Sequence, residues 1–178
     1  MSSKRENTRA RILQAAWQLF RQQGYQHTST RAIAQAAGVA DGTVFSHFNT
    51  KLDMLKAGIL VQIEQVVADA DASLTATTPT DRLLHYAGHL YPFYAANAEF
   101  SRELFRELLW HQDELRPQVQ AFILKLLPDE PVPDRPVYGQ VLMDCYFMTL
   151  LEGLSGESCD APRMLERLRQ KLACLASD

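Results

Sequence analysis

The stretch 30-TRAIAQAAGVADGTVFSHFNTK-51 decides how the rest of this chain is read. Thr30 is a residue type that caps helix starts. Behind it Ala32, Ile33, Ala34, Ala36 and Ala37 make a short helix of small apolar side chains. Gly38 stands where glycine commonly ends a helix. Val39 and Ala40 form the turn, and Asp41 is placed to cap a second short helix, Gly42 to Phe48. Asn49 breaks that helix. Thr50-Lys51-Leu52-Asp53 then has the spacing of a capping box and opens a third. The pattern is that of a helix-turn-helix.

Spacing assigns the faces of the second helix. Val44 and Phe48 are four apart, share one side and are expected to pack on the preceding helix. Gly42, Thr43, Phe45, Ser46 and His47 remain on or near the other side. That surface suits a DNA major groove. Thr43 and Ser46 can bond base edges or phosphates, Phe45 can press on a thymine methyl, and Gly42 admits a close backbone approach. Thr30 and Lys51 each open a helix, where free N–H groups favour a phosphate. A purely structural helical corner has the same glycine-jointed helices, and spacing alone does not separate the two readings.

The segment TSTRAIAQAAGVADGTVFSHFNTKLDML, with the helix before it and the Gly24-Tyr25 link, resembles the DNA-binding signature of the tetracycline-repressor (TetR) family of bacterial transcription regulators. The resemblance covers roughly residues 8 to 56. It implies that Thr30, Ala40, Asp41, Gly42, Thr43, Phe45, Ser46, His47 and Lys51 lie at or near double-stranded, palindromic operator DNA. Two positions depart from the family pattern. Phe45 and Ser46 stand where tyrosines are frequent, so phosphate bonds from those hydroxyls are partly lost. Asp41 is acidic and would repel phosphate unless its role is confined to capping.

Outward from this segment the charge is asymmetric. Residues 1–51 hold seven basic and two acidic residues, net +5; the remainder holds eleven basic and nineteen acidic, net −8. A basic head on an acidic whole points to a localised polyanion contact. No apolar run reaches membrane-spanning length and no signal peptide precedes the fold, so a soluble, cytoplasmic protein is expected. Cys145, Cys159 and Cys174 have no metal-ligand spacing and are read as free thiols.

The chain reads as all-α throughout. A first helix over about Thr8–Gln23 carries Ile12, Leu13, Ala16, Leu19 and Phe20 towards the head's core, and Met1–Asn7 reads as a polar tail. A long helix from Lys51 to about Leu74 repeats Leu52, Leu55, Ile59, Ile63, Val66 and Ala70 in steps of three and four. Thr75–Thr80 breaks the pattern, and Thr80 is placed to cap a helix to about Ala96, with Pro92 disturbing its last turns. Further helices are read to about His111, from about Asp113, over about Pro136–Leu154, and over about Ala161–Ala176. A proline-rich loop spans 127–136. The expected division is a DNA-binding head, residues 1–51, and a ligand-binding and dimerisation body, residues 52–178.

Two features of the body bear on function. The run LMDCYFMTLL is apolar nearly all round, and Leu165, Leu168, Leu172 and Leu175 form a stripe on the last helix. A two-fold, four-helix homodimer interface would cover both, and the TetR resemblance implies dimerisation through the last helices. The body is also rich in aromatics. Tyr86, His89 and Phe93 share a face beside Pro92, and with Phe105, Trp110 and Asp144 they are read as a pocket for a small apolar or aromatic effector, Asp144 being read equally as a cap on a dimer contact. The resulting reading is a ligand-responsive DNA-binding regulator, a repressor released by its effector, with no catalytic residues, no cofactor and no metal. The alternative is a small helical enzyme or metal-dependent sensor using His85 and His89, which are four apart on one helix face. No phosphate loop, dinucleotide fingerprint or nucleophile elbow occurs in the sequence.

Overall fold

The computed structural model describes residues 4–108, 116–127, 134–156 and 158–175. Among them it forms nine α-helices: α1 Lys4–Gln23, α2 Thr30–Ala37, α3 Asp41–His47, α4 Lys51–Ala72, α5 Pro79–Ala96, α6 Ala98–Leu108, α7 Arg116–Leu126, α8 Arg135–Ser155 and α9 Ala161–Ala173. The chain divides into two compact units, 1–64 and 65–178, which meet inside α4. No helix among the described residues is long and apolar enough to cross a membrane.

In the first unit α1 and α3 both pack on α2. The core is Ile12, Ala16 and Phe20 of α1, Ile33 and Ala34 of α2, and Val44 with Phe48 at the end of α3, all buried. Tyr25 closes one end, its ring edge-on to Phe20 at 5.3 Å. Leu13 and Leu19 are half-buried and Gln23 is exposed, so the buried stripe of α1 is narrower than its apolar sequence. The helix also begins earlier than Thr8; Lys4 to Asn7 are helical, with Thr8 Oγ1 donating to the Lys4 carbonyl at 3.0 Å.

Helix ends follow the local chemistry, in two cases one residue away from expectation. Ser29, not Thr30, caps α2 by accepting from the Ala32 amide at 3.1 Å, and Thr30 becomes its first helical residue. Ala40, not Asp41, is the residue before α3, so Asp41 sits in the first turn, where an acidic charge suits the helix dipole. Gly38 adopts φ 63°. It donates to Gln35 while Val39 donates to Ala34, the paired bonds of a Schellman end. The Thr50–Asp53 capping box is reciprocal, with both bonds at 3.0 Å.

The second unit is arranged around α5, which packs on α6, α7, α8 and α9. Thr78, not Thr80, caps α5 through the Asp81 amide. Helical bonding continues past Pro92 to Ala96, because a proline removes only its own N–H. Two glycines let helices close together. A Cβ on Gly139 of α8 would lie 2.5 Å from Ile123 Cγ2 of α7, and one on Gly153 would lie 2.5 Å from Met164 of α9. Arg102 of α6 ties down the end of α8, donating to the Leu154 carbonyl at 2.7 Å and that of Gly156 at 3.2 Å. Residues 128–133, most of the proline-rich stretch, and residues 109–115, with the expected helix bounds near His111 and Asp113, lie outside the described residues.

Candidate nucleic-acid interface and effector core

One side of α3 is buried and the other is open to solvent. Val44 is wholly buried, Phe48 at the helix end is 3% exposed, and between them Phe45 is 53% exposed. Asp41, Gly42 and Ser46 are exposed, Thr43 and His47 half-buried, and Ala40 stands exposed just before the helix. Nothing lies within 4 Å of where a Gly42 Cβ would stand. Ser46 donates its hydroxyl to the Thr43 carbonyl at 2.7 Å, which turns its oxygen into an outward acceptor unless a partner competes. Of the residues expected to face DNA on α3, Asp41, Gly42, Phe45 and Ser46 are exposed and Thr43 and His47 half-buried, with Thr30 half-buried at the start of α2.

Lys51 has a second occupation that the sequence did not reveal. Its Nζ donates to the carbonyls of Tyr25 at 2.8 Å and Thr28 at 3.1 Å, and lies 4.2 Å from the Tyr25 ring centroid. Thr28 is itself buried and donates to the Gly24 carbonyl. The ammonium thus gathers the turn between α1 and α2 at the start of α4. Arg11 does the same at the end of α2, its guanidinium donating to the Ala37 carbonyl at 2.5 Å. Arg9 lies over the Phe48 ring at 4.5 Å.

The expected effector residues do not all converge. Tyr86 and Phe105 are buried, while His89 and Phe93 are half-buried. Trp110 lies outside the described residues. Of the two readings of Asp144, its position favours the one outside the pocket. Asp144 is exposed on α8 and accepts from Gln140 Nε2 at 2.9 Å, because the helical period turns it away from the side that carries Met143 and Tyr146. The aromatic core is instead centred on Tyr146, whose ring stacks on Tyr91 at 5.2 Å and meets Phe147 edge-on at 5.3 Å. Phe122 and Tyr94 complete it, Tyr94 meeting Phe105 at 5.6 Å. Tyr91 donates to the Tyr146 carbonyl at 3.0 Å. All of these stood among the aromatics of the sequence, but nothing in their spacing singled out Tyr146.

Tyr86 belongs to a different constellation. Its hydroxyl donates to Asp71 Oδ1 at 2.6 Å, and Lys125 Nζ reaches Asp71 Oδ2 at 2.5 Å. His85 Nε2 is 2.9 Å from the Ala70 carbonyl. The last turn of α4 is thereby bound to α5 and α7. Partial burial pushes the Asp71 carboxyl up, but the bonds from Lys125 and Tyr86 and the nearby positive charges outweigh it and hold it below the usual range. Burial and the Asp71 carboxylate push the Tyr86 phenol up to about 12. The His85 and His89 rings are 5.0 Å apart. Among the described residues no group of three or more potential metal ligands forms.

The stripe on α9 is a correction. Leu168 and Leu172 are 0% and 2% exposed and fill this chain's own core, since α9 lies against α5 and α8. Leu165 is half-buried, and Leu175, just past the helix, is 38% exposed. On α8 the uncovered side carries Val137 and Met148, 56% and 52% exposed, with Asp144 between them.

Comparison with known proteins agrees with this geometry. Residues 12–57 match the family model for bacterial regulatory proteins of the tetR family. The chain is 26% identical to the HTH-type transcriptional repressor KstR of Mycolicibacterium smegmatis over 163 residues, covering 86% of this chain and 80% of that protein. It is 33% identical over 110 residues to the HTH-type regulator AcrR of Shigella flexneri, covering 61% of this chain and 51% of that one. Among solved structures it resembles Thermus thermophilus FadR, a TetR-family repressor in complex with lauroyl-CoA, at TM-score 0.64 and 26% identity, over 94% and 93% of the two chains. A TetR regulator from Rhodococcus aligns at TM-score 0.72 and 18% identity over 99% of both. The helix-turn-helix of residues 12–57 is that of the tetR family of bacterial regulatory proteins, and the helical body behind it resembles those of TetR-family structures.

Proposed function

We propose that this protein is a homodimeric repressor that holds a palindromic operator and releases it on binding a small, mainly apolar effector. The observation that carries the DNA reading is the outer face of α3, where Phe45 stands exposed between buried Val44 and nearly buried Phe48. On this reading Thr43, Phe45 and Ser46 meet base edges, and Thr30, His47 and the start of α4 at Lys51 meet phosphates. Ala40, Asp41 and Gly42 bring the backbone near the groove. Two such heads would occupy successive major grooves, about 34–36 Å apart or a multiple of that. The ridge of exposed Val137, Asp144 and Met148 and half-buried Val141 on α8 steps by four, three and four, and supports an interface through α8 in place of the buried α9 leucines. Of the α9 stripe, only Leu165 and Leu175 remain able to contribute at its edge.

Repression is supported by the likeness to KstR, and effector control by the likeness to FadR, which is bound to lauroyl-CoA. In this chain α4 runs from the head unit into the body, where Asp71 fixes its last turn, so an effector that repacks the body has a direct route to α4. The test is a gel-shift series with DNA upstream of the protein's own gene and its neighbours, across salt. Expected is one retarded species on a palindrome and a steep loss of affinity with salt. Equal affinity for every fragment at every salt concentration would overturn the assignment.

A further inference from the structure

The Tyr146 hydroxyl is buried in the middle of the body and has no hydrogen-bond partner. Tyr146 is 2% exposed and its neighbours Tyr91 and Tyr94 are 0% and 5% exposed. Tyr91 spends its own proton on the Tyr146 backbone carbonyl. Tyr94 lies near enough to Tyr146 for the two phenols to influence one another, yet not in the geometry that would satisfy the Tyr146 oxygen. An unmet buried hydroxyl is costly and uncommon in native cores, and one surrounded by rings is of use where a ligand completes it.

Resting on the effector reading above, we propose that Tyr146 is the directional donor of the effector site, and that the effector is an uncharged aromatic molecule carrying an acceptor oxygen such as a carbonyl.

The chemistry of the surroundings selects that class. Burial pushes the phenols of Tyr91, Tyr94 and Tyr146 above their ordinary value, so at neutral pH each keeps its proton. Tyr146 therefore offers a donor and asks for an acceptor. The carboxylate nearest Tyr91 is that of Glu152, and Lys171 already engages it at 3.1 Å. A carboxylate or phosphate entering among the tyrosines would have to compete for that paired ammonium. The rings of Tyr91, Phe122 and Phe147 surround Tyr146, and Phe105 meets Phe147 edge-on, an apolar aromatic setting that favours a ring as the guest once the core yields. Pro92 supplies a place to yield, because its missing N–H leaves the Gly88 carbonyl without the usual helical donor. Gly88 and the neighbouring Phe93 are half-buried, and a Gly88 Cβ would only just touch Leu165 of α9, at 3.9 Å.

The experiment uses the full chain, wild type and Tyr146→Phe, with three probes of similar size: acetophenone, ethylbenzene and benzoate. Calorimetry should show acetophenone binding wild type about three- to tenfold more tightly than Tyr146→Phe, the span of one net hydrogen bond. Ethylbenzene should bind both proteins alike, and benzoate more weakly than either neutral probe. Without ligand, Tyr146→Phe should unfold at a higher urea concentration than wild type, which a merely space-filling tyrosine in a satisfied site would not produce. Equal acetophenone affinity in the two proteins, no acetophenone binding to wild type, benzoate binding as tightly as acetophenone, or a lower urea midpoint for Tyr146→Phe each overturns the proposal. Gel shifts without ligand, on the DNA upstream of the gene, keep the readings apart. Failure there removes the regulator assignment and leaves the tyrosine result to be judged alone.

Discussion

Lys51 donates to the carbonyls of Tyr25 and Thr28 and lies over the Tyr25 ring, so its ammonium is part of the head's own structure as well as a candidate phosphate contact. Lys51→Ala should lower the stability of the head by about 1–2 kcal/mol, because partly buried carbonyls lose a charged donor. It should also weaken all DNA sequences alike, whereas Thr43→Ala should change which sequence is preferred. Thermal melts beside gel shifts on two operators separate these effects; a Lys51→Ala protein as stable as wild type would contradict the bonds described. At the body's end of α4, Asp71 makes a pH-dependent prediction. Its carboxyl is held below the usual range in the folded state, so the stability it adds is present above the unfolded value, about 4, and is lost as pH falls through the folded one. Asp71→Asn should therefore lower the melting temperature at pH 7 and converge on wild type towards pH 3. A difference that is constant with pH would show that Asp71 carries no coupled proton.

Glycines show how one residue type acts differently in different elements. In α3 nothing stands where a Gly42 Cβ would be, and in α8 the same atom on Gly139 would sit 2.5 Å from Ile123. Gly42→Ala should raise the stability of the free protein by up to about 1 kcal/mol while lowering DNA affinity, since the added methyl meets only the ligand. Gly139→Ala should cost about 1–3 kcal/mol in spite of the better helix former, because α7 and α8 must part. Urea titrations of the two variants check this, and the same sign for both would refute it. The contrast also explains what was legible in the sequence. Helices were readable from period and caps, and Val44, Phe48 and the Thr50–Asp53 box fell where spacing put them. Caps at Ser29 and Thr78 were missed because the next eligible residue, Thr30 or Thr80, is chemically equivalent in a string of hydroxyls. The sides on which Asp144, Leu168 and Leu172 fall were not legible for a different reason. A helix that is apolar on several sides does not declare which side meets its own chain, and only the packing of α5 against α8 and α9 decides it.

For the whole molecule the relevant distinction is between surface that folds the chain and surface left over for a second copy. Leu168 belongs to the first kind, and Leu168→Ala should destabilise each subunit by about 2–5 kcal/mol. On the proposed dimer exposed Met148 belongs to the second, and Met148→Glu should leave the helical spectrum and melting of the subunit unchanged while sedimentation shows dissociation and operator binding falls. Loss of folding in Met148→Glu would move that ridge into the core. The end of α4 has a consequence of phase. Within the second unit Ala70 is buried, and its neighbour Asp71 is held by Tyr86 and Lys125. A single residue added between them would turn the carboxylate by about 100° and advance it by about 1.5 Å. The last turn could then keep its buried alanine or its bonded aspartate, but not both.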